Sequence, residues 1–222
     1  MRADLHVHTH FSRDCPMRLE AILRTAVERR LSCLAITDHN TIRGAIETQK
    51  MVMQEAVPLR IIVGEEIRTV EGEIIGLFLR EEIPRRLSAE ETIRRIKDQG
   101  GLVYVPHPFD RVRRSRLRGE TLLRLATQVD IVEVFNSRVT FPRDNALAEE
   151  FAAHFGLARG GGSDAHVPYE IGRTVVEIAQ FETPSEFKNA LANGKIVARL
   201  SNPLVHFVTT FTKLRRKYLA KR

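Results

Sequence analysis

The chain has 222 residues, of which 43% are hydrophobic and 28% charged, and its formal net charge is +7 at pH 7. These proportions are ordinary for a globular protein and exclude collagen-like, disulfide-rich and intrinsically disordered classes. No apolar run approaches the about 20 residues that a membrane-spanning helix needs, so we expect no membrane partner. Two cysteines, Cys15 and Cys33, are too few for a disulfide framework and favour reduced thiols in a cytoplasmic protein.

The positive charge is concentrated in two short segments. Six of the 35 basic residues lie among the last ten residues, which contain no acid, so the rest of the chain is nearly neutral. Five more arginines lie between Arg111 and Arg118. Each cluster is either an ordinary solvated surface or a contact for an anionic partner, such as a phosphorylated small molecule, a nucleotide or a short nucleic acid.

Short β-rich segments alternate with longer segments of helical periodicity. The predicted strands comprise residues 5–8, 33–36, 59–63, 74–79, 102–105, 131–134 and 174–178, with a further strand before a glycine loop at 160–162. The predicted helices comprise residues 17–30, 42–56, 88–99, 120–127, 142–155, 183–194 and 204–219. Strands that lead into helices are typical of βα units around a parallel sheet, so we predict one α/β domain over residues 1–200 and a basic C-terminal helix over 201–222.

Histidine and carboxylate side chains follow the predicted strands. His6 and His8 share one face of the first strand, because strand side chains alternate. Similar side chains follow that strand and four others: Asp14, His39, Glu66, His107, Asp164 and His166. A lone histidine in such a position is more often a core residue, but the ends of parallel barrel strands converge on one cavity. Because imidazole and carboxylate are suitable ligands for Zn²⁺, Mn²⁺ or Fe²⁺, the pattern predicts a metal centre.

At these positions the chain resembles the PHP (polymerase and histidinol phosphatase) family of metal-dependent phosphoesterases. The matching segments run from residue 4 to residue 166 in the family's order: D-L-H-V-H with a following S-R-D, I-T-D-H-N, G-E-E, V-P-H-P, E-V-F-N-S-R and G-S-D-A-H. The resemblance implies a distorted (β/α)₇ TIM-like barrel that holds two or three divalent ions. Mn²⁺ is the favoured ion, with Zn²⁺ or Fe²⁺ as alternatives.

The resemblance also implies which side chains hold each ion. The three groups are His6, His8, Glu66 and Asp164 for one ion, the bridging Glu66 with His107 for a second, and Asp14, His39 and His166 for a third. Asp14 is assigned because Arg13 holds the position that many relatives give to aspartate. Many relatives carry histidine where this chain has Glu73, so we expect a carboxylate ligand there and higher activity with Mn²⁺ than with Zn²⁺.

The implied activity is hydrolysis of phosphate esters by attack of an ion-bridging hydroxide on phosphorus. The expected substrates are nucleotides or short 5′-phosphorylated oligonucleotides, as for a 3′,5′-nucleoside bisphosphate phosphatase or a 5′–3′ exonuclease. Asp164 and His166 would be catalytic, with His166 or an ion-bound water as the general acid, and Arg138 would clamp the phosphate. We expect four further side chains to contact the substrate: Arg111, Arg113, Asn136 and His10.

Three alternatives stay open. The first is a small-molecule phosphatase of the histidinol-phosphate type. The second is a C–N bond hydrolase of amidohydrolase type, because those enzymes also carry His-x-His on the first strand. The third is a catalytically silent nucleic-acid-binding module. Asp14, the T-D-H segment and the S-D-A-H segment favour the phosphoesterase. The residues do not indicate an oligomeric state.

The C-terminal segment also allows two interpretations. Its cations fit a tail that attracts longer polyanions, whereas its apolar residues indicate a helix packed on the base of the barrel. Those apolar residues are Leu204, Val205, Phe207, Val208, Phe211 and Leu214. We expect that packing to form, leaving only the residues after about Leu214 dispensable.

Overall fold

The computed structural model describes residues 1–202 and 204–219, without the side chains of residues 206, 216, 217 and 219. The strands are β1 (Arg2–Val7), β2 (Cys33–Ile36), β3 (Arg60–Arg68), β4 (Glu73–Leu77), β5 (Leu102–Val105), β6 (Ile131–Asn136), β7 (Ala158–Gly162), β8 (Thr174–Glu177) and β9 (Lys195–Ala198). The helices are α1 (Leu19–Glu28), α2 (Arg43–Gln54), α3 (Ala89–Asp98), α4 (Gly119–Leu125), α5 (Pro142–Phe155), α6 (Pro184–Ala192) and α7 (Val205–Leu219). Most strands therefore alternate with helices, as βα units do.

The strands form one sheet in the order β7-β6-β5-β4-β3-β2-β1-β8-β9. β1, β2 and β3 pair in parallel, as do β5, β6 and β7, whereas β4 is antiparallel to both of its neighbours. The segment that follows β7 returns to β1, where His8 N donates to Ala165 O at 3.0 Å and Ala165 N donates to His6 O at 3.3 Å. These bonds bring the sheet close to a closed barrel, which confirms the predicted TIM-like α/β fold.

Alternate residues of the strands belong to two apolar clusters. One cluster joins the strands to the surrounding helices and includes Ile36, Val63 and Val105. The other contains the intervening strand residues, such as Leu5 and Tyr104, together with residues of α6. The two-residue alternation thus gives each strand one face towards the outer helices and one face towards the barrel interior. Among the described residues, no helix combines the length and apolar character needed to cross a bilayer.

The strand β3 is longer than predicted because it forms a hairpin with β4. The turn is closed by Thr69, whose Oγ1 accepts hydrogen bonds from the backbone N–H groups of Glu71 and Gly72. Gly72 has a φ of +146°, and a Cβ there would lie 2.4 Å from the Leu117 backbone, so this turn requires glycine. The hairpin leaves no helix between β3 and β4, as predicted, and reverses the direction of β4.

The glycine loop predicted at 160–162 is wrong, because these residues belong to β7. A Cβ at Gly160 would lie 2.4 Å from Tyr104 Cε2, and a Cβ at Gly162 would lie 2.2 Å from His6 Cβ. The glycines therefore let β7 approach large side chains of the neighbouring strands, rather than forming a flexible turn. The sequence analysis also missed β9.

The predicted packing of α7 on the base of the barrel is wrong. α7 lies instead at the rim that carries the candidate ligands, where Lys213 Nζ is 2.9 Å from Asp14 Oδ2. Val205 and Thr212 are buried, whereas Phe207 and Phe211 are 72% and 66% exposed. The helix thus docks through a narrow, partly polar face. The side chains of His206, Arg216 and Lys217, and residues 220–222 with the last two cations of the tail, lie outside the described residues.

Candidate metal centre

The candidate ligands lie together at the rim formed by the carboxyl ends of the parallel strands. Strands β1, β2, β3, β5 and β7 end in, or lead into, the side chains that the sequence analysis identified: His6, His8, Asp14, His39, Glu66, His107, Asp164 and His166. Glu73 reaches the same rim because it begins the antiparallel strand β4 and pairs with Arg68 at the end of β3. Reversing β4 therefore brings its first residue to the place where the other strands end.

Glu66 lies in the middle of this cluster. Its Oε2 atom is 2.9 Å from His39 Nδ1 and 3.5 Å from His8 Nε2. The same atom is 3.7 Å from His6 Nε2, and its Oε1 atom is 3.1 Å from His107 Nε2. A carboxylate with imidazole nitrogens around both oxygens is placed as a bridging ligand would be.

Asp164 and Asp14 flank Glu66 with further imidazoles. Asp164 Oδ1 is 3.7 Å from His6 Nε2 and 3.4 Å from His8 Nε2. Asp14 lies 3.5 Å from His166 Nε2. Within the described residues, three triplets have potential ligand atoms within 4.8 Å of one another: His6–His8–Asp164, His8–His39–His166 and His39–Glu66–Glu73. Glu73 thus groups with His39 and Glu66.

Four buried carboxylate oxygens in this cluster accept no well-aligned hydrogen bond within the described part of the chain, although one of them, Glu66 Oε2, lies 2.9 Å from His39 Nδ1. They are Asp14 Oδ1, Glu66 Oε2, Glu73 Oε2 and Asp164 Oδ1. Burying such atoms without a partner costs free energy, and proteins pair them with donors or cations. Divalent cations are the natural partner for carboxylate oxygens mixed with imidazole nitrogens. The residues present therefore fit a cluster of divalent ions.

The electrostatics keep two imidazoles neutral. Burial and the neighbouring His166 lower the pKa of His8 to about 4. Burial and the Arg138 guanidinium also lower the pKa of His166. Both rings are neutral at pH 7, which is the state in which histidine binds a metal. Burial raises the pKa of Asp164, but Arg113 and His6 outweigh it and hold that pKa well below its usual range.

Glu133 orients the cluster from strand β6. Its Oε1 atom is 3.0 Å from His6 Nδ1 and accepts a hydrogen bond from Tyr104 Oη at 3.1 Å. Its Oε2 atom accepts hydrogen bonds from His107 N at 2.8 Å and Asn136 Nδ2 at 2.9 Å. The sequence analysis assigned no role to Glu133, although a carboxylate within a buried, otherwise apolar strand is a usable signal.

Asp38 and Ser12 hold the loop after β1. Asp38 Oδ1 accepts hydrogen bonds from Thr9 N at 2.7 Å and Ser12 Oγ at 2.5 Å. Ser12 Oγ is 3.2 Å from His8 Nδ1 and accepts a hydrogen bond from His39 N at 3.0 Å. These contacts fix the orientation of the His8 imidazole by bonding its Nδ1 atom, an arrangement that is usual for histidines around protein metal sites.

Two of the predicted substrate contacts lie at Asp164. Arg113 Nη2 donates to Asp164 Oδ2 at 2.7 Å, and Asn136 Nδ2 approaches the same oxygen at 3.3 Å. Arg138 is buried, with its Nε atom 3.2 Å from Glu170 Oε1, and it donates to Thr209 Oγ1 of α7 at 2.6 Å. All three residues therefore lie at or beside the cluster, although each is already held by other protein groups.

The other two predicted contacts lie farther out. Arg111 Nε and Nη2 donate to Asp144 Oδ1 at 2.9 and 2.7 Å, and its guanidinium lies 5.0 Å from the centre of the Phe141 ring. His10 is exposed, and its ring centre lies 4.5 Å from that of Phe11. Neither side chain lines the cavities described next.

Two cavities open from the cluster. The inner one, of about 340 Å³, is lined by Asp14, His39, Glu73 and His166, together with Arg113 and Arg138. The outer one is a groove of about 860 Å³ that shares Asp14, His39 and Glu73 with it. Lys213 lines both, a residue that the sequence analysis placed only in the tail. A third depression, of about 670 Å³, lies near Met1 and contains no candidate ligand.

Comparisons with known proteins agree with this architecture. A family model described as PHP-associated matches residues 142–196. One uncharacterized protein of Methanocaldococcus jannaschii is 44% identical over 147 residues, which cover 62% of this chain and 82% of that protein. A second is 36% identical over 201 residues, with coverages of 86% and 79%. The 5′-3′ exoribonuclease Rnm of Escherichia coli is 40% identical over 78 residues, which cover 33% of this chain and 26% of that enzyme.

A solved structure matches the fold. It is a two-domain protein from Bacteroides vulgatus that contains a predicted PHP-like metal-dependent phosphoesterase, with a TM-score of 0.72 and 20% identity over 90% of this chain and 65% of that one. The barrel and its histidine–carboxylate rim define an α/β-barrel protein suited to divalent metals. The PHP-associated family model and the fold shared with a PHP-like protein confirm the resemblance to the PHP family found in the sequence.

Proposed function

We propose that this protein is a metal-dependent phosphoesterase that hydrolyses nucleotides or short 5′-phosphorylated oligonucleotides. The observation that carries the proposal is that the inner cavity joins the imidazole–carboxylate cluster to Arg113, Arg138 and Lys213. The cluster fits divalent cations, and the three cationic side chains fit the oxygens of a phosphate group. The distant likeness to an exoribonuclease supports a nucleotide substrate.

We propose the same ligands that the resemblance implied. The residues that would hold the ions are His6, His8, Asp14, His39, Glu66, Glu73, His107, Asp164 and His166. Bound divalent ions lower the pKa of a water molecule and polarise phosphoryl oxygens, which supplies the nucleophile and part of the charge stabilisation. The four carboxylates of this set include Glu73, which stands where many relatives carry histidine. Oxygen ligands of this kind favour Mn²⁺ over Zn²⁺.

The protein's own cations would orient the substrate. Arg113 reaches Asp164 Oδ2 at 2.7 Å, and Lys213 Nζ reaches Asp14 Oδ2 at 2.9 Å, so the two cations flank the cluster. A phosphate in the inner cavity would contact both. Preorganised cations of this kind stabilise the charge that develops on phosphoryl oxygens during transfer.

His166 would present an unprotonated nitrogen to the reaction. Its Nδ1 atom lies 2.9 Å from the Asp164 backbone carbonyl, which can only accept, so the neutral ring carries its proton on Nδ1. Its Nε2 atom, 3.5 Å from Asp14 Oδ1, is then free of a proton. We therefore assign His166 to ion binding or proton acceptance, and not to the role of general acid.

A phosphate-release panel tests the proposal. The panel comprises an aryl phosphate, histidinol phosphate, a nucleoside 3′,5′-bisphosphate and a 5′-phosphorylated oligonucleotide, each with Mn²⁺ and with Zn²⁺, beside an amide and a lactone. We expect phosphate release, fastest from the nucleotide substrates and with Mn²⁺. Asp164→Asn should lower kcat by at least about a hundredfold, since removing one electrostatic contact to a reacting centre costs that much.

The control is Asp98→Asn, which changes an exposed carboxylate on α3 that pairs with Arg94. It should retain full activity, and circular dichroism should show both variants folded. Hydrolysis of the amide or lactone without phosphate release, or full activity in folded Asp164→Asn, would contradict the proposal.

A further inference from the structure

Four arginines from four separate segments line the outer groove. They are Arg13 in the loop after β1, Arg43 at the start of α2, Arg68 at the end of β3 and Arg85 between β4 and α3. All four are exposed. Residues so far apart in the chain converge here only through the fold, and the sequence predicted no binding role for any of them.

The charges of this groove are largely uncompensated. Arg68 Nη1 lies 3.5 Å from Glu73 Oε1, which ties the groove to the cluster. Within the described part of the chain, Arg13, Arg43 and Arg85 form no ion pair with a carboxylate. Apart from the candidate ligands Asp14 and Glu73, Glu82 is the acid in the groove lining, and it accepts a hydrogen bond from Thr41 Oγ1. The groove beyond the cluster is therefore a region of positive potential.

One of these guanidinium groups is held in place by an aromatic ring. The Arg43 guanidinium carbon lies 5.2 Å from the centre of the Phe11 ring, within the range of a cation–π contact. Phe11 itself is half-buried and packs against the core. This contact limits the motion of Arg43 and lowers the entropy that it would lose on binding an anion.

We propose that the outer groove is a second-phosphate subsite, so that the substrate carries a further phosphate beyond the one hydrolysed at the cluster. This inference rests on the proposed function for the position of the first phosphate. The groove opens directly from the cluster through Asp14, His39 and Glu73, so one molecule can occupy both regions. Guanidinium groups bind phosphate bidentately and favour it over weaker anions. The second phosphate belongs either to a nucleoside bisphosphate or to the next linkage of a nucleic-acid strand.

The first test measures binding without hydrolysis. The full-length chain with Mn²⁺ is titrated into a fluorescent single-stranded oligonucleotide that has a 5′-hydroxyl end and phosphorothioate linkages. For the double variant Arg43→Gln/Arg85→Gln, we expect the slope of log affinity against log salt concentration to become shallower by about 1.4, because each single-strand phosphate contact contributes about 0.7.

The second test compares substrates with one and two phosphates. For the same double variant, we expect KM for a nucleoside 3′,5′-bisphosphate to rise about tenfold relative to KM for the matching 5′-monophosphate, since a charge-assisted hydrogen bond is worth about a factor of ten. The matched control is Arg18→Gln/Arg24→Gln, which also removes two positive charges. Both residues are exposed and lie outside the groove, Arg18 directly before α1 and Arg24 within it. This control should leave both the salt slope and the KM ratio unchanged.

The outcomes separate the sources of the second phosphate. A change in the KM ratio alone supports a bisphosphate, and a change in the salt slope as well supports a strand. Equal values for the two double variants in both tests would overturn the subsite. If the wild-type chain releases no phosphate from any substrate but the salt slopes still differ, the proposed function fails and the anion subsite stands.

Discussion

Glu133 shows how one buried carboxylate organises the site without being a candidate ligand. It contacts His6 Nδ1 and the His107 backbone N–H with its two oxygens, and both residues belong to the cluster around Glu66. The bond to Nδ1 leaves His6 Nε2 facing Asp164 and Glu66. Carboxylate–histidine pairs of this kind fix the tautomer and the direction of a ligating ring.

The variant Glu133→Gln tests this role. The amide keeps the volume of the side chain but removes the charge and one acceptor, so His6 loses part of its orientation. We expect metal affinity, measured by competition with a chromophoric chelator, to fall about 10–100-fold, the range typical of residues that orient metal ligands.

Glu150→Gln is the matched control, because Glu150 is exposed on α5. It should bind metal as the wild type does. Unchanged metal affinity in folded Glu133→Gln would show that Glu133 only fills the core.

At the scale of elements, α7 and β4 bring residues to the rim that the barrel strands alone do not supply. α7 contributes Lys213 to both cavities and contacts Arg138 through Thr209. Its outward face exposes apolar side chains, including Phe207 and Phe211. The helix α7 thus contributes side chains to the candidate site but few to the hydrophobic core. In contrast, Phe187 of α6 is completely buried in the core.

This contrast predicts different losses of stability for two phenylalanine truncations. Phe187→Ala should lower the free energy of unfolding by about 3–5 kcal/mol, because it leaves a cavity in the core. Phe211→Ala should change it by less than about 0.5 kcal/mol, as exposed substitutions do. Urea denaturation of both variants measures the two values. A loss of several kcal/mol for Phe211→Ala would mean that the outward face of α7 is buried in solution.

At the scale of the whole molecule, the candidate ligands come from both halves of the sheet. Glu66 on β3 contacts His6 on β1 and His107 after β5, and the segment after β7 that carries Asp164 closes onto β1. Ions bound among these residues would cross-link strands that lie far apart in the sequence. Metal binding and the stability of the barrel should therefore be coupled.

Removing the ions should lower the melting temperature. At an ion concentration about a hundred times the dissociation constant, binding stabilises the folded state by about 2.7 kcal/mol, which for a chain of this size corresponds to about 5–10 °C. Differential scanning calorimetry with a chelator and with increasing Mn²⁺ measures this shift. Glu66→Gln should reduce the shift strongly, whereas a wild-type melting temperature independent of Mn²⁺ would contradict the coupling.

Features that depend on neighbouring residues were predictable from the sequence. The helices α3 and α6 begin within one residue of their predicted starts, because Ser88 and Thr183 cap them: Ser88 Oγ accepts from Glu91 N, and Thr183 Oγ1 accepts from Glu186 N. Because side chains alternate along β1, Asp4 and His6 point to one face of the sheet and the intervening residues point to the other. These features depend on residues that are close together in the chain, so the sequence alone predicts them.

The tertiary structure alone decided the features that join distant segments. The local sequence predicts a loop at Gly162, but this residue belongs to β7. Glycine is needed there because His6 occupies the space that a side chain would take. The resemblance predicted Glu73 as a ligand, but only the structure shows that the antiparallel direction of β4 brings it to the cluster. Lys213 was not predicted there, and it reaches the rim because α7 folds back onto it. The four arginines of the outer groove meet for the same reason. Local sequence patterns predict most of the strands and helices, whereas the packing of those elements against each other determines which side chains share a site.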